Sequence, residues 1–162
     1  MPRRPPKADA RSVYDKALGL LARREHSSRE LKGKLLARGH DKGEADAAIG
    51  QLKDQRYQSD ERFAASLARQ RSGQGYGPRR IAAELKSHGL GDAAIRAVLA
   101  ELDLDWTALA AAQLRRRHGA GAPADVDERA RRAAFLLRRG FDPATVRAVT
   151  RAEVDGPDLG LD

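Results

Sequence analysis

A chain of 162 residues with a net charge of +8 has the length of one domain or of a few small modules. Aromatic residues make up only 4% of it, whereas Ala, Leu, Arg, Lys and Glu, which lose little entropy in helices, are abundant, so a β-sheet is not expected. The absence of cysteine excludes disulfide frameworks, thiolate zinc sites and cysteine nucleophiles, and fits a reducing cytoplasm. No apolar run is long enough for a membrane span, and the basic N-terminus lacks the apolar core of a signal peptide.

Positive charge is concentrated at the two ends of the predicted helical body. Residues 1–57 carry a net +6, residues 58–104 a net +1 and residues 105–151 a net +5, whereas residues 152–162 carry four acids and no base. Such fields attract polyanions over about a Debye length. Nucleic acid or an acidic protein groove is therefore the expected class of partner, and ordinary solubilising charge is the alternative.

One helical pattern occurs three times, about 50 residues apart. In each copy a Leu lies four residues before a Gly, and a basic residue directly precedes that Gly. Because Gly adopts the left-handed conformation easily, it is predicted to end the helix. Apolar residues then follow six and nine positions after the Gly, at helical spacing. The three pairs are Leu35 with Gly39, Leu85 with Gly89, and Leu136 with Gly140.

The repeat predicts an all-α protein of nine helices, arranged as three tandem three-helix repeats. A unit of about 50 residues with few large side chains buries too little apolar surface to be stable alone. Neighbouring units are therefore expected to pack against each other in an elongated, curved array. In chain order, the predicted segments are a basic extension (1–8), three repeats (9–57, 58–104 and 105–151) and an acidic, flexible tail (152–162).

Local signals predict where helices begin. The segments Ser27–Glu30 and Asp125–Glu128 have the spacing of a capping box, in which the first and last residues each satisfy the other's backbone N–H. Pro78 and Pro143 are predicted at first helical positions, where the missing N–H has no cost. The Gly- and Ala-rich segment 117–124 is predicted to be a loop.

Sequence patterns typical of catalysis or metal binding are not found. The four histidines show no ligand spacing, and neither a Ser–His–Asp set nor paired carboxylates stand out, so no metal, cofactor or catalytic site is predicted. The Gly-rich segment 73–78 is not preceded by a strand or followed by Lys-Ser/Thr, so it is interpreted as a flexible turn. As an alternative, Tyr76 presents a flat face to a base or a partner, beside Arg79 and Arg80 at an anion-binding helix N-terminus.

Pairs of arginine recur near helix ends in all three copies. Guanidinium groups bind phosphates and carboxylates through two parallel hydrogen bonds. The recurrence predicts a long cationic strip, although a solvated helix face is the alternative for any single pair. The pairs include Arg23-Arg24, Arg79-Arg80, Arg131-Arg132 and Arg138-Arg139.

Four motifs resemble those of the RecX family of recombinase regulators, in order and in spacing. Residues 24–39 are similar to R-x-H-S-x-x-E-L-x-x-K-L-x-x-[KR]-G, and residues 57–64 to Y-x-D-x-x-F-A. Residues 71–89 are similar to R-x-x-x-G-x-x-[KR]-I-x-x-E-L-x-x-x-G, and residues 136–141 to L-x-[KR]-[KR]-G-[FY]. The chain departs from the family where Gln58-Ser59 replaces an aliphatic residue and an Asp, and where His88 replaces the usual Lys.

The resemblance spans about residues 12–150 and implies a three-repeat protein that lies in the deep groove of the RecA filament on single-stranded DNA. There it restrains ATP hydrolysis, strand exchange and co-protease function. The implied partners are the RecA filament and, weakly and without sequence preference, single-stranded DNA. We further expect a cytoplasmic monomer that needs no cofactor and contacts no membrane.

Carried over residue by residue, the resemblance suggests thirteen partner- or DNA-binding side chains. For Ser27 and Asp60, a purely capping role is the alternative. The candidates are Arg24, His26, Ser27, Glu30, Lys34 and Arg38 in the first copy, Asp60, Arg71, Tyr76, Arg80 and Lys86 in the second, and Arg138 and Arg139 in the third.

Two other functions fit the same pattern. Three-helix units with a Gly-rich turn imitate helix-turn-helix modules, so an independent duplex-DNA-binding protein is the first alternative. A helical-repeat adaptor for an unrelated acidic protein is the second.

Overall fold

The computed structural model describes residues 10–151, and all regular structure within that range is helical. The predicted extension 1–8 and tail 152–162 lie outside the described residues. An all-α chain of nine helices is thus confirmed for the range that the structure covers. The helices are α1 (Ala10–Arg23), α2 (Ser28–Ala37), α3 (Lys42–Asp54), α4 (Asp60–Gly73), α5 (Pro78–Ser87), α6 (Asp92–Leu102), α7 (Trp106–His118), α8 (Val126–Arg138) and α9 (Pro143–Thr150).

The second helix of each triplet ends in the same backbone motif. Gly39, Gly89 and Gly140 all have φ between +86° and +90°. In α2 the N–H of Gly39 donates to the Leu36 carbonyl at 3.0 Å, and the next N–H, of His40, donates to the Leu35 carbonyl at 3.2 Å. These are the two bonds of a Schellman motif. They recur after α5 and α8, so the predicted glycine stops are confirmed.

The predicted capping boxes form only by half. Ser27 Oγ accepts from the Glu30 N–H at 3.0 Å, but the Glu30 carboxylate pairs with Arg24 rather than with the Ser27 N–H. Asp125 likewise accepts from the Glu128 N–H at 2.7 Å, while Glu128 reaches back to the N–H of Ala124 instead. In both cases the glutamate bonds to another group instead of the N–H of the capping residue.

The loop predicted at 117–124 begins later in the structure than the sequence suggests. Helix α7 continues to His118, and Gly119 ends it with φ +77° and an N–H bond to the Arg115 carbonyl at 2.9 Å. Arg117 is therefore a helical residue, on the last turn of α7.

The chain divides into two compact units, and the divisions fall inside helices. One unit comprises Met1–Ser66 and Leu85–Val98, and the other comprises Leu67–Glu84 and Leu99–Asp162. Helices α4, α5 and α6 therefore each contribute residues to both units.

The first unit has its core where α1, α2 and α3 meet. The apolar residues of these helices recur at helical spacing, so one face of each helix is buried. Leu35, which precedes the first Gly stop, is fully buried, as the repeat predicts. The core residues are Val13, Ala17, Leu20, Leu31, Leu35, Ala45, Ala48, Ile49 and Leu52.

The second unit has an equivalent core formed by α7, α8 and α9. Leu136 is fully buried there, and Phe141, which follows the Gly stop of α8, is 1% exposed. The side chains of Trp106, Leu109 and Val149 pack against this core from its edge. The core residues are Ala110, Leu114, Ala133, Phe135, Leu136, Phe141 and Val146.

Candidate functional site

In the first unit, the turn before α2 positions a cluster of polar side chains around His26. The His26 ring is 2% exposed, and its two nitrogens lie 3.0 Å from the Arg24 carbonyl and 2.9 Å from Lys34 Nζ. Because the ammonium of Lys34 can only donate, Nε2 accepts and Nδ1–H donates to the carbonyl. The imidazole is therefore neutral, and it holds Lys34 at a fixed place on α2.

Electrostatics reinforce this arrangement. Burial lowers the pKa of His26, and the charges of Arg24 and Lys34 lower it further. The hydrogen bond to the Arg24 carbonyl and the charge of Glu30 raise it, but the net shift is downward. Burial by itself would raise the pKa of Glu30, but the hydrogen bond and the charge of Arg24 outweigh it, so this pKa is lowered. Glu30 is thus a carboxylate that joins Arg24 to Lys34, with Lys34 Nζ at 3.5 Å.

Ser27 and Asp60 both act as helix caps. Besides capping α2, Ser27 Oγ is hydrogen-bonded to His88 Nδ1 at 2.9 Å, and Ser27 is fully buried. Asp60 Oδ1 accepts from the Ser28 N–H at 2.8 Å and so satisfies a further donor at the start of α2. The capping alternative for Ser27 and Asp60 therefore describes the contacts that these side chains make.

Gln58 is a member of this cluster that sequence reasoning missed. It is 1% exposed, and its Nε2 donates to the His26 carbonyl at 3.2 Å and to Asp60 Oδ1 at 3.0 Å. In the sequence, Gln58 stands out only as a departure from the family motif, and that departure does not indicate which groups its side chain contacts. We call Arg24, His26, Ser27, Glu30, Lys34, Gln58, Asp60 and His88 the His26 cluster.

In the second unit, Arg71 joins α4 to α5. Its guanidinium donates to both carboxylate oxygens of Glu84, at 2.8 and 2.7 Å, and also to Gln74 Oε1 at 3.1 Å. The hydrogen bond to Glu84 raises the pKa of Arg71, followed by the charge of the same carboxylate. Arg71 is therefore an internal tie, and its donors are largely occupied.

Tyr76 is contacted by two arginines of the second unit. The Arg80 guanidinium carbon is 4.2 Å from the centroid of its ring, and that of Arg139 is 4.9 Å away. Arg139 also lies 5.4 Å from the Phe135 centroid, and Arg117 lies 4.7 Å from it. The order Arg80, Tyr76, Arg139, Phe135, Arg117 alternates cations and rings, and we call it the arginine–aromatic ladder.

The start of α5 is not an open anion site. The N–H groups of Gly77 and Arg79 donate to the carbonyls of Arg139 and Gly140, at 2.8 and 2.9 Å, and the Arg79 side chain pairs with Asp142 at 3.0 Å. This corrects the alternative that placed an anion at this helix N-terminus, because two of its donors are already used. The flat-face alternative for Tyr76 is changed as well, because arginines lie over its ring.

Three predicted contact residues, Arg38, Lys86 and Arg138, are exposed on the surface. Lys86 has an ion pair with Asp92 at 3.8 Å, with both side chains about two-thirds exposed, which contributes little. Of the thirteen predicted residues, the structure therefore brings six into the His26 cluster and three into the ladder. Arg71 is paired with Glu84, and Arg38, Lys86 and Arg138 are exposed cations.

Other kinds of site are not seen in the described range. Among residues 10–151 no group of three or more His, Asp or Glu side chains is placed to hold a metal ion. In the second unit a cleft of about 420 Å³ is lined by residues that include Arg69, Glu101 and Leu109, and it contains none of the predicted site residues. Among the helices described, none is long and apolar enough to cross a membrane.

Fold and site together define an all-helical protein of three-helix units whose distinctive side chains are suited to binding. Three family models match in succession: the first three-helix domain of RecX over residues 14–52, the second over 59–99 and the third over 103–150. The chain belongs to the RecX family, a family of regulatory proteins rather than enzymes.

Related proteins and structures agree with this assignment. The regulatory protein RecX of Xanthomonas axonopodis pv. citri is 46% identical over 154 residues, which cover 95% of each chain. That of Stenotrophomonas maltophilia is 46% identical over 140 residues, or 86% of each chain. The crystal structure of RecX from Lactobacillus salivarius shares the fold, with a TM-score of 0.73 at 20% identity over 88% of this chain and 94% of that one.

Proposed function

We propose that the chain is a non-enzymatic regulator that binds in the groove of the RecA filament on single-stranded DNA. Bound there as a monomer in the cytoplasm, it lowers the recombinase, ATPase and co-protease activities of the filament. RecX family membership over the helical body supports this proposal.

The observation that carries the proposal is that cationic side chains in both units are held in place by neighbouring groups. Lys34 is held by His26 and Glu30, and Arg139 contacts the rings of Tyr76 and Phe135. Ordered side chains lose less entropy on binding, so a pre-positioned cationic surface suits a polyanionic partner. Within this proposal the three repeats keep their predicted boundaries, at 57/58 and 104/105.

The direct test is the DNA-dependent ATPase of RecA, titrated with the protein. We expect substoichiometric protein to lower the steady-state rate. Unchanged turnover at saturating protein would contradict the proposal. Co-sedimentation with assembled filaments, bare DNA and free recombinase then separates the alternatives, since an independent duplex binder pellets with bare duplex DNA and prefers a particular sequence.

A charge-matched pair of variants tests whether the predicted surface is used. The triple variant R38Q, K86Q and R138Q removes three exposed candidate contacts. We expect about a tenfold higher concentration for half-inhibition, since three surface contacts contribute about 1.4 kcal/mol together. The control K16Q, K53Q and R147Q removes three exposed cations that the resemblance does not select. Equal effects of the two triples would show that net charge alone matters.

A further inference from the structure

We propose that the arginine–aromatic ladder binds the phosphate backbone of single-stranded DNA through the edges of its three guanidinium groups. The proposal deepens the proposed function and rests on it, since it names the DNA strand of the filament as the ligand of this part of the second unit. The geometry of Arg80, Tyr76, Arg139, Phe135 and Arg117 is its basis.

The ladder arginines differ from three carboxylate-paired arginines of the second unit in what they contact. Arg71, Arg79 and Arg132 each pair with a carboxylate, at 2.7 to 3.0 Å. Within residues 10–151, no such ion pair is formed by the arginines of the ladder, and the Arg139 side chain has only a 3.4 Å contact with the Gln74 carbonyl. The positive charge of the ladder is therefore not neutralised by the described part of the chain.

Stacking determines which part of each guanidinium is left for a ligand. When a ring covers the face of the planar group, its N–H donors still point outward in the plane. Those edges match the paired oxygens of a phosphate. Arg80 and Arg139 share the Tyr76 ring, and Arg139 and Arg117 share the Phe135 ring, so the ladder brings three guanidinium groups together.

The ends of the ladder favour nucleic acid over an acidic peptide. Arg80 and Arg117 are exposed, and each contacts one ring of the ladder. Bases stack on guanidinium planes in complexes with single-stranded nucleic acids, and carboxylates gain nothing from such a face. A ligand with phosphates and flat bases can therefore use both the edges and the ends, whereas an acidic peptide uses only the edges.

The test compares two triple variants of equal charge by fluorescence anisotropy with a labelled oligodeoxythymidine. R80Q, R117Q and R139Q removes the ladder, and R115Q, R116Q and R131Q removes three exposed arginines of the same unit. We expect the ladder variant to bind at least about tenfold more weakly. Its slope of log affinity against log salt should fall by about 2, because each phosphate contact contributes about 0.7. The salt slope of the control variant should stay within about 0.7 of that of the parent chain, which corresponds to one phosphate contact.

A second variant separates the planar groups from their charge and serves if the glutamine variant does not fold. R80K, R117K and R139K keeps the three charges but loses stacking and the paired donors. We expect at least about threefold weaker binding with the salt slope retained, and a thermal midpoint near that of the parent chain. Affinity equal to that of the parent would overturn the proposal, because charge alone would then explain binding.

Two parallel measurements keep this inference distinct from the proposed function. Polyglutamate of matched charge tests the peptide alternative. If the ladder variant lost binding of polyglutamate but kept binding of the oligonucleotide, the assignment of DNA as the ligand would be overturned. The RecA ATPase is measured with the same variants. Full oligonucleotide binding by the ladder variant overturns this inference even where filament inhibition persists. A parent chain that binds DNA through the ladder but leaves the ATPase unchanged contradicts the proposed function and supports the ladder as a DNA site.

Discussion

Gly77 and Gly140 pack backbone against backbone. A Cβ built on Gly77 would lie 2.5 Å from the carbonyl of Gly140, and one on Gly140 would lie 2.6 Å from the backbone N of Arg80. Gly140 also has a φ of +90°. The first turn of α5 can therefore pack this closely against the C-terminus of α8 only because neither Gly77 nor Gly140 has a side chain.

Gly140→Ala is expected to destabilise the protein. The left-handed conformation costs about 1–2 kcal/mol in a residue with a Cβ, and the clash with Arg80 backbone atoms adds to this. The free energy of unfolding should fall by at least about 2 kcal/mol, measured by urea denaturation with far-UV circular dichroism. Gly50→Ala is the control, because Gly50 lies in α3 with open space around it. It should stabilise by about 0.5–1 kcal/mol, and a similar loss at both positions would contradict the backbone explanation.

Asp60→Asn tests whether this residue is a cap or a partner contact. The amide oxygen can still accept from Ser28 N–H, but it lacks the charge that strengthens this bond. We expect a loss of about 0.5–1 kcal/mol in unfolding free energy and filament inhibition unchanged at temperatures where the variant is folded. Asp15→Asn, at an exposed position of α1, should change neither quantity. Lost inhibition in a fully folded D60N protein would assign Asp60 to the contact surface instead.

His26 predicts a pH dependence of stability. Its pKa is lowered in the folded protein, first by burial and then by the charges of Arg24 and Lys34. As pH falls through about 6.5, the unfolded chain binds a proton on this ring that the folded chain does not bind. The free energy of unfolding is therefore expected to be lower at about pH 5.5 than at about pH 7.5.

In the variant His26→Gln, the free energy of unfolding should differ less between these two pH values, although the variant is less stable than the parent chain at both. His118 also has a lowered pKa, caused by burial and then by Arg132 and Arg117, so His118→Gln is measured in parallel. A pH difference that persists in H26Q and disappears in H118Q would show that His26 is not the responsible group.

His40→Leu is expected to stabilise the protein. His40 is 7% exposed, and both of its ring nitrogens lack a hydrogen-bond partner among the described residues. The equivalent positions after the other two Gly stops are Leu90 and Phe141, which are buried apolar residues. Removing an unsatisfied buried polar group should raise the free energy of unfolding by about 1 kcal/mol in urea titrations. A loss of stability would show that the ring is satisfied in solution.

The helical framework was predictable because its signals are local. Leu35 and Gly39 lie about one helical turn apart, and so do their counterparts, so spacing along the chain identifies the buried position and the end of the helix. The capping boxes were half wrong for the opposite reason. The sequence shows that Glu30 lies near the N–H of Ser27, but it does not show that Arg24 competes for the same carboxylate.

The candidate site was predictable only in part. Arg139 and Tyr76 lie 63 residues apart and were selected through separate motifs, and nothing in either motif indicates that the two side chains contact each other. Phe135 and Arg117 were not selected: no motif pointed to Phe135, and Arg117 was assigned to a loop. Contacts between distant segments depend on the packing of helices, which periodicity does not specify.

The Schellman motifs also bear on how the three copies diverge. Each motif is closed by backbone atoms around a single glycine, so apart from the buried Leu four residues earlier it places little demand on the side chains that precede it. Mutations can therefore accumulate along the helix surfaces while the register of every copy is preserved. This gives a tandem protein a way to change the exposed side chains of its helices, such as the arginines, without rebuilding its scaffold.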